Sequence, residues 1–264
     1  MAIVISISNH KGGVGKTTTA VNLATIFNNQ RGHKTLLIDA DKQCNSSATY
    51  SVSTENTVTL YDVLVGDSPI TDAIVHTKYG DIIPASPKLT IADMMLSSEN
   101  ENHRLDEEME KIKDAYDFII IDTRTDINTL LYNCLVASDE IIVPVSPDYY
   151  SEQGIIDLYK TIQQIKKRDN PKLDIAGVLH VRYKKGTNLS SESNEDYRVL
   201  ANRLGTQLFD TPISETVKVG ESTKSLMPVV IYWPNCSAAS DYIQLADSLL
   251  KYLQDKESSE SKEA

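Results

Sequence analysis

The stretch Asn9-His10-Lys11-Gly12-Gly13-Val14-Gly15-Lys16-Thr17-Thr18 constrains this chain more than any other, because it sets a glycine-rich turn between an apolar run, Ala2 to Ile7, and a segment of helical character starting near Lys16. Three glycines in four positions let successive backbone N–H groups converge on one point, and the helix that follows adds the positive end of its dipole. That arrangement is a cradle for phosphate. The expected backbone contacts run through Lys11, Gly12, Gly13, Val14, Gly15, Lys16, Thr17 and Thr18, with Lys16 reaching the β- and γ-phosphates and the Thr17 hydroxyl ligating Mg²⁺. The strict pattern G-x-x-x-x-G-K-[ST] is not met, since His10 stands where the first glycine belongs and Lys11 brings a second lysine.

The rest of the chain repeats the strand-then-helix order that such a loop requires. Ala20, Leu23, Ala24 and Phe27 share one helical face, with Gly32 as the stop. Lys34 to Asp39 and Asp117 to Asp122 then read as strands with continuous apolar runs, of the kind buried on both faces of a parallel sheet, and each ends in aspartate. Glu140 to Val145 and Leu173 to Val181 give further strands, separated by a helix with Ile155, Leu158, Tyr159, Ile162 and Ile165 on its inner face. The expected fold is α/β: a doubly wound, mostly parallel sheet with helices on both faces, in the P-loop NTPase manner.

Between Ser46 and Ser98 the periodicity breaks into short pieces, including a strand at Asp81 to Pro84 and a helix around Ile91 to Leu96. His103 to Ala115 reads as a charged helix with a solvated acidic face. Further on, a helix is expected over Ser190 to Leu204, extended pieces at Gln207 to Phe209 and Val229 to Tyr232, and a last helix with Tyr242, Ala246, Leu249 and Leu253 aligned. Residues 1–253 are thus expected to form one domain, and residues 254–264, almost devoid of apolar side chains, a disordered polar tail.

The loop Lys11-Gly-Gly-Val-Gly-Lys16-Thr-Thr, together with Leu37-Ile38-Asp39-Ala40-Asp41-Lys42-Gln43 and Tyr116 to Thr123, resembles the deviant Walker A ATPases of the ParA/MinD family, and ParA-type partition ATPases in particular. The resemblance implies a cytoplasmic enzyme that uses ATP and Mg²⁺, forms a homodimer sandwiching two nucleotides, and binds DNA without sequence preference in the ATP state, so that it associates with the nucleoid. A centromere-binding, ParB-like partner would stimulate its slow hydrolysis and release it. Residue by residue, the resemblance makes Lys11 the lysine that reaches the partner subunit's nucleotide, Lys16 the cation on this chain's own phosphates, and Asp39 the group near the attacking water. It also gives the metal site to Thr17, Asp39 and Asp122, and the base contacts to the stretches holding Arg182 and Pro212. Asp41 either belongs to the switch or caps the turn that follows.

Three departures from the family pattern bear on function. Arg124-Thr125 replaces two prolines after Asp122-Thr123, and Arg124 reads either as a phosphate-stabilising cation or as a surface ion-pair member. Lys42 replaces a proline after the Asp-x-Asp, and Ser214-Glu215 stands where proline and arginine are common. With a net charge of −11, the chain cannot coat nucleic acid with its whole surface, so DNA contact requires a local basic patch. Candidates are Lys166, Lys167 and Arg168, Lys184 and Lys185, Arg198, and Lys218, although Lys166 to Arg168 equally suit the negative end of a helix.

Other classes fit less well. No apolar run approaches the roughly 20 residues of a membrane span, and no signal sequence or domain ahead of Ala2 is expected. The polar C-terminal stretch lacks the basic amphipathic face of a MinD-like lipid anchor. Cys44, Cys134 and Cys236 show no metal-ligand spacing, and the thirteen tyrosines are dispersed, not gathered in a tail as in related tyrosine kinases. A nucleotide switch acting on a protein without DNA stays open as the alternative.

Overall fold

A computed structural model describes the backbone of residues 1–96, 99–126, 128–147 and 150–263. Eight strands form one sheet: β1 (Ile3–Ile7), β2 (Thr35–Asp39), β3 (Val75–Thr77), β4 (Gly80–Ile83), β5 (Phe118–Asp122), β6 (Glu140–Val145), β7 (Asp174–Tyr183) and β8 (Ile213–Ser214). Their spatial order is β3-β4-β2-β5-β1-β6-β7-β8. Every neighbouring pair is parallel except the β3–β4 hairpin at one edge. All carboxyl ends of the parallel strands therefore lie along one rim, where doubly wound sheets bind ligands.

Eleven α-helices are described: α1 (Lys16–Arg31), α2 (Asn45–Thr49), α3 (Leu60–Leu64), α4 (Leu89–Met95), α5 (Arg104–Met109), α6 (Thr129–Val136), α7 (Tyr150–Arg168), α8 (Asn188–Arg203), α9 (Val217–Lys224), α10 (Val229–Tyr232) and α11 (Ser237–Glu263). One sheet face is covered by α1, α10 and α11, whose Leu23, Phe27, Val229, Tyr242 and Leu249 pack on Ile5, Leu37 and Ile120. The other face takes α3 to α6 over β2 and β5, and α7 with α8 over β6 and β7. β2, β5 and β6 are buried at every position, which is why their sequences show runs instead of alternation. Gly32 ends α1 as expected, at φ 70° with its N–H on the Phe27 carbonyl.

Several expectations are corrected. Val229 to Tyr232 is a helical turn, not an extended piece, because Pro228 fixes its start and Val230 N–H is held by Asn22 Oδ1 at 3.1 Å. Gln207 to Phe209, by contrast, is extended as expected: Leu208 bridges to Val178 of β7, the Gln207 carbonyl accepts the Val178 N–H at 2.8 Å, and the Phe209 N–H donates to the Val178 carbonyl at 2.9 Å. His103 to Ala115 breaks into α5 flanked by two 3₁₀ turns, and Glu108 is buried there with Lys111 Nζ 2.7 Å from its carboxylate, so the acids are not uniformly a solvated face. The stretch expected as a disordered tail continues α11 through Glu263. Its apolar stripe stops at Leu253, and an ion pair from Lys256 to the buried Glu140, 2.5 Å, ties the next turn to the foot of β6.

Gly177 sits where β7 slips register against β6, and a Cβ there would stand 2.7 Å from the Phe209 ring and 3.1 Å from the Gln207 carbonyl. Gly177→Ala is expected to cost about 1–3 kcal/mol in chemical denaturation through overpacking, while leaving nucleotide affinity within twofold. Unchanged stability would show that Phe209 yields freely.

Candidate nucleotide site

β1 ends at Ile7, and Ser8 and Asn9 remain fully buried as the chain turns into the loop. Asn9 bridges the loop to the neighbouring strand: its Nδ2 donates to the Pro144 carbonyl at 2.7 Å, and its Oδ1 accepts the Lys11 N–H at 3.0 Å. Gly13 and Gly15 take φ of 74° and 77°, in the left-handed region that penalises any side chain, so the curl depends on glycine at both positions. Val14, between them, is buried and anchors the loop. Gly15 then caps α1, which leaves the free N–H groups of the first turn facing the cradle.

Lys16 lies folded back across the loop, with Nζ donating to the Lys11 carbonyl at 3.2 Å. Burial lowers its pKa, opposed by the charges of Asp122, Asp41 and Asp126. A desolvated ammonium surrounded by carboxylates remains a cation, and one poorly compensated by water. Asp39 and Asp122 stand side by side, paired in register at the tips of β2 and β5 and both fully buried.

The short helix α2 brackets the two carboxylates. Ser47 donates to Asp39 Oδ2 through its N–H at 2.8 Å and its hydroxyl at 2.7 Å, and Ser46 Oγ donates to Asp122 Oδ2 at 2.8 Å. The Asp41 N–H meets Asp39 Oδ1 at 3.2 Å. Ser46 and Ser47 escape sequence reasoning, since α2 is five residues long and has no apolar period. The signal available was the polar cluster Cys44-Asn45-Ser46-Ser47 one turn after the Asp-x-Asp.

These hydrogen bonds leave the pair short of positive charge. Burial first, and then the charge of Asp122, raise the Asp39 pKa against the pull of Ser47 and Asp41. Burial likewise raises Asp122, with the hydroxyls of Ser46 and Thr17 and the Lys16 ammonium opposing. Asp122 Oδ1 is buried without a hydrogen-bond partner among the described residues. Two adjacent buried carboxylates, one with an orphaned oxygen, beside a threonine hydroxyl at a phosphate loop are the hard-oxygen donor set of Mg²⁺, so the residues present fit that ion.

The segment after β5 lies against the loop. Thr123 Oγ1 donates to the Ile7 carbonyl at 2.9 Å, and the Thr125 methyl is 3.9 Å from the Cβ position of Gly12. Arg124 is buried and pairs with Asp126 at 2.8 Å, which makes it an ion-pair member, though not a surface one. Cys134 is a buried core residue of α6.

At the same rim, Val181 packs its methyls 3.8 and 3.9 Å from the Cβ position of Gly15, and an Arg182 guanidinium nitrogen lies 4.0 Å from that of Gly13. Pro212 precedes β8, whose Ile213 pairs with Val181, so it stands beside the same strand end. The basic candidates are split between the two poles of the sheet. Lys166, Lys167 and Arg168 close α7 at the amino-end pole, where Lys166 pairs with Asp174 at 3.2 Å. Lys184, Lys185 and Lys218 lie toward the carboxyl-end rim, with Lys184 held by Glu215 at 3.3 Å and Lys218 by Glu221 at 2.8 Å, and Arg198 is exposed midway along α8.

Comparison with known proteins places this geometry. A family model described as an AAA domain matches residues 2–175. The chain is 34% identical over 260 residues to the chromosome partitioning protein ParA of Caulobacter vibrioides, covering 96% of each. The chain belongs to the ParA family of P-loop ATPases. The septum site-determining protein MinD of Pyrococcus horikoshii, complexed with Mg-ADP, superposes with a TM-score of 0.76 at 28% identity over 94% of this chain and 96% of that one. Cobyrinic acid a,c-diamide synthase of Mycobacterium smegmatis, with bound ADP and magnesium, does so with 0.83 at 26% identity over 96% of each chain. An amide synthase on the same fold shows that function within this superfamily has to be argued from the site. Among the described residues no helix is long and apolar enough to cross a membrane.

The carboxylate pair makes stability depend on pH. Each carboxyl holds its proton more tightly in the folded chain than at the ordinary value of 3.8, so its contribution is fully present below that value and is lost as pH rises through the raised one. The nucleotide-free protein is therefore expected to lose melting temperature from about pH 4 toward neutrality. Asp122→Asn should flatten that slope and raise the melting temperature at neutral pH; an unchanged slope would contradict the uncompensated pair.

Proposed function

We propose that this chain is a DNA-partition ATPase. The observation that carries the reading is a phosphate loop holding two lysines, Lys11 and Lys16, in front of two buried aspartates on adjacent strand tips. Hydrolysis of a phosphoanhydride asks for positioning and charge stabilisation more than for covalent chemistry. The loop N–H groups and Lys16 bind the β- and γ-phosphates and draw off the charge that develops as the bridging oxygen leaves with ADP. Asp39, oriented by Ser47 and the Asp41 N–H, is placed to position the attacking water and take its proton. Thr17, Asp39 and Asp122 would hold Mg²⁺, which when bound supplies further neutralisation of the phosphates.

Lys11 then serves the nucleotide of a second copy, so that Mg-ATP drives a homodimer. The dimer binds DNA without sequence preference, a centromere-binding ParB-like protein stimulates slow hydrolysis, and the enzyme cycles between nucleoid and cytoplasm. Lys184 and Lys185 are the DNA contacts on the nucleotide rim; Lys166 to Arg168 solvate the far end of α7. A second reading, a nucleotide switch acting on a protein without DNA, is favoured by one observation: Lys184, Lys218 and Lys166 are all engaged by acids of their own chain. A membrane role gains nothing from α11, whose stripe ends at Leu253.

The test is filter retention of DNA by wild type and Asp39→Ala, each with ATP and with ADP, beside hydrolysis rates. The variant should hydrolyse at least about a hundredfold more slowly and yet stay on DNA with ATP. If neither protein retains DNA in any nucleotide state while wild type hydrolyses ATP, the protein-switch reading replaces this one. Lys184→Glu with Lys185→Glu should weaken retention and lower the slope of log K against log salt by about one for each phosphate no longer neutralised. Lys166→Glu with Lys167→Glu should leave both unchanged.

A further inference from the structure

β7 ends differently from the other strands of the sheet. Its register against β8 shifts between Val181, opposite Ile213, and Tyr183, opposite Ser214, so two steps of β7 face one step of β8 and Arg182 is the extra residue of a bulge. Arg182 has φ 56°, in the left-handed region that a residue with a Cβ seldom occupies. A bulge re-aims the side chain it carries, and bulges gather beside active sites.

Here the re-aimed side chain goes to the phosphate loop. β7 is separated from β1 by β6, yet it touches the loop at two glycines, with Val181 against Gly15 and the Arg182 guanidinium 4.0 Å from the Cβ position of Gly13. Arg182 is exposed and has no ion-pair partner among the described residues, whereas Lys184, two positions on, is held by Glu215. A planar fork of donors without a carboxylate, standing over backbone that is curled to receive an anion, is matched by a phosphate group. Strain of this kind persists where the surrounding structure imposes it, and the pairing of β7 with β8 on both sides of Arg182 does so.

We propose that Arg182 binds the polyphosphate of the nucleotide, a further cation beside this chain's Lys16 and the Lys11 of a second copy, delivered by the β7 bulge. This rests on the nucleotide reading of the loop and changes one part of it: Arg182, expected from its sequence position among the base contacts, reads the phosphates. Gly13 is glycine for its own φ of 74°, and at 4.0 Å the guanidinium stands in ordinary contact with the Cβ position there.

The experiment compares wild type, Arg182→Gly and Arg182→Lys by calorimetric binding of Mg-ATP, Mg-ADP and, in competition, inorganic tripolyphosphate, with thermal unfolding of each nucleotide-free protein. Glycine adopts the left-handed conformation freely, so Arg182→Gly should melt no lower than wild type. Its affinity for ATP, ADP and tripolyphosphate should fall together by about ten- to a hundredfold, the worth of a charge-assisted contact, with Arg182→Lys between the two. Unchanged ATP affinity in Arg182→Gly would overturn the assignment. So would a loss for ATP with tripolyphosphate unaffected, which would return Arg182 to the base. Wild type that binds none of the three would overturn this inference and the nucleotide reading together.

Discussion

Two carboxylates buried side by side, with the Lys16 ammonium of the phosphate loop acting on one of them, set the terms for the rest of this structure. Each charge would be costly if isolated. Parallel register makes their adjacency unavoidable, because β2 and β5 start level, at Thr35 opposite Phe118, and so end level, at Asp39 opposite Asp122. A slip of either strand by one residue would turn its aspartate and its apolar side chains to the other face. The apolar runs of the two strands therefore hold the site as firmly as its polar contacts do. Leu37 and Ile120 pack under α1, while Leu36, Ile38, Ile119 and Ile121 pack under the opposite layer.

Around the pair, polar contacts are spent on orientation and not on neutralisation. Ser46, Ser47 and the Asp41 N–H occupy three of the four carboxylate oxygens, and Lys16 turns back to the Lys11 carbonyl without reaching either carboxylate by a direct hydrogen bond among the described residues. Hydrogen bonds from neutral donors steady a carboxylate without cancelling its field. A cation held here gains from both charges, and a polyphosphate gains from Lys16 once it leaves the Lys11 carbonyl. The fourth oxygen, Asp122 Oδ1, is buried with no hydrogen-bond partner among the described residues, the kind of orphaned group that a bound cation satisfies.

Much of this architecture was legible because burial on both faces writes itself as an apolar run. Leu36-Leu37-Ile38 and Phe118-Ile119-Ile120-Ile121 announce central parallel strands, and an aspartate directly after each announces the rim. The loop was legible because left-handed backbone needs glycine, at Gly13 and Gly15. What stayed hidden depends on contacts distant in sequence. α2 exists because Ser47 bonds Asp39 and also accepts the Ala85 N–H at 3.0 Å, and no local period signals that. Val229 to Tyr232 has the composition of a strand, but tertiary packing on α1 and α11 makes it a turn of helix. α11 extends past its apolar stripe because Lys256 finds Glu140, 116 positions away. Arg182 gave no sign of its aim, since a bulge is a property of two strands and not of one.

The end of β7 also joins parts of the molecule that the sequence keeps apart. Val181 and Arg182 meet the phosphate loop, Lys184 is tied across to Glu215, and the Tyr183 carbonyl accepts the Glu215 N–H at 2.9 Å. Ser214 N–H is in turn held by Asp241 of α11 at 2.8 Å, so the strand end is backed by a helix that spans the sheet. A phosphate drawing on Arg182 pulls on a bulge whose neighbours in the chain are Lys184 and Lys185. Since a bulge has more than one way to satisfy its extra residue, and the Lys184–Glu215 pair is exposed and weakly held, the strand end has the make-up of an element that nucleotide could bias. In the cycle proposed above, coupling of DNA affinity to the nucleotide would need such an element and equal reciprocity: if DNA binds at Lys184 and Lys185, it tightens the hold on ATP by the factor by which ATP tightens the hold on DNA.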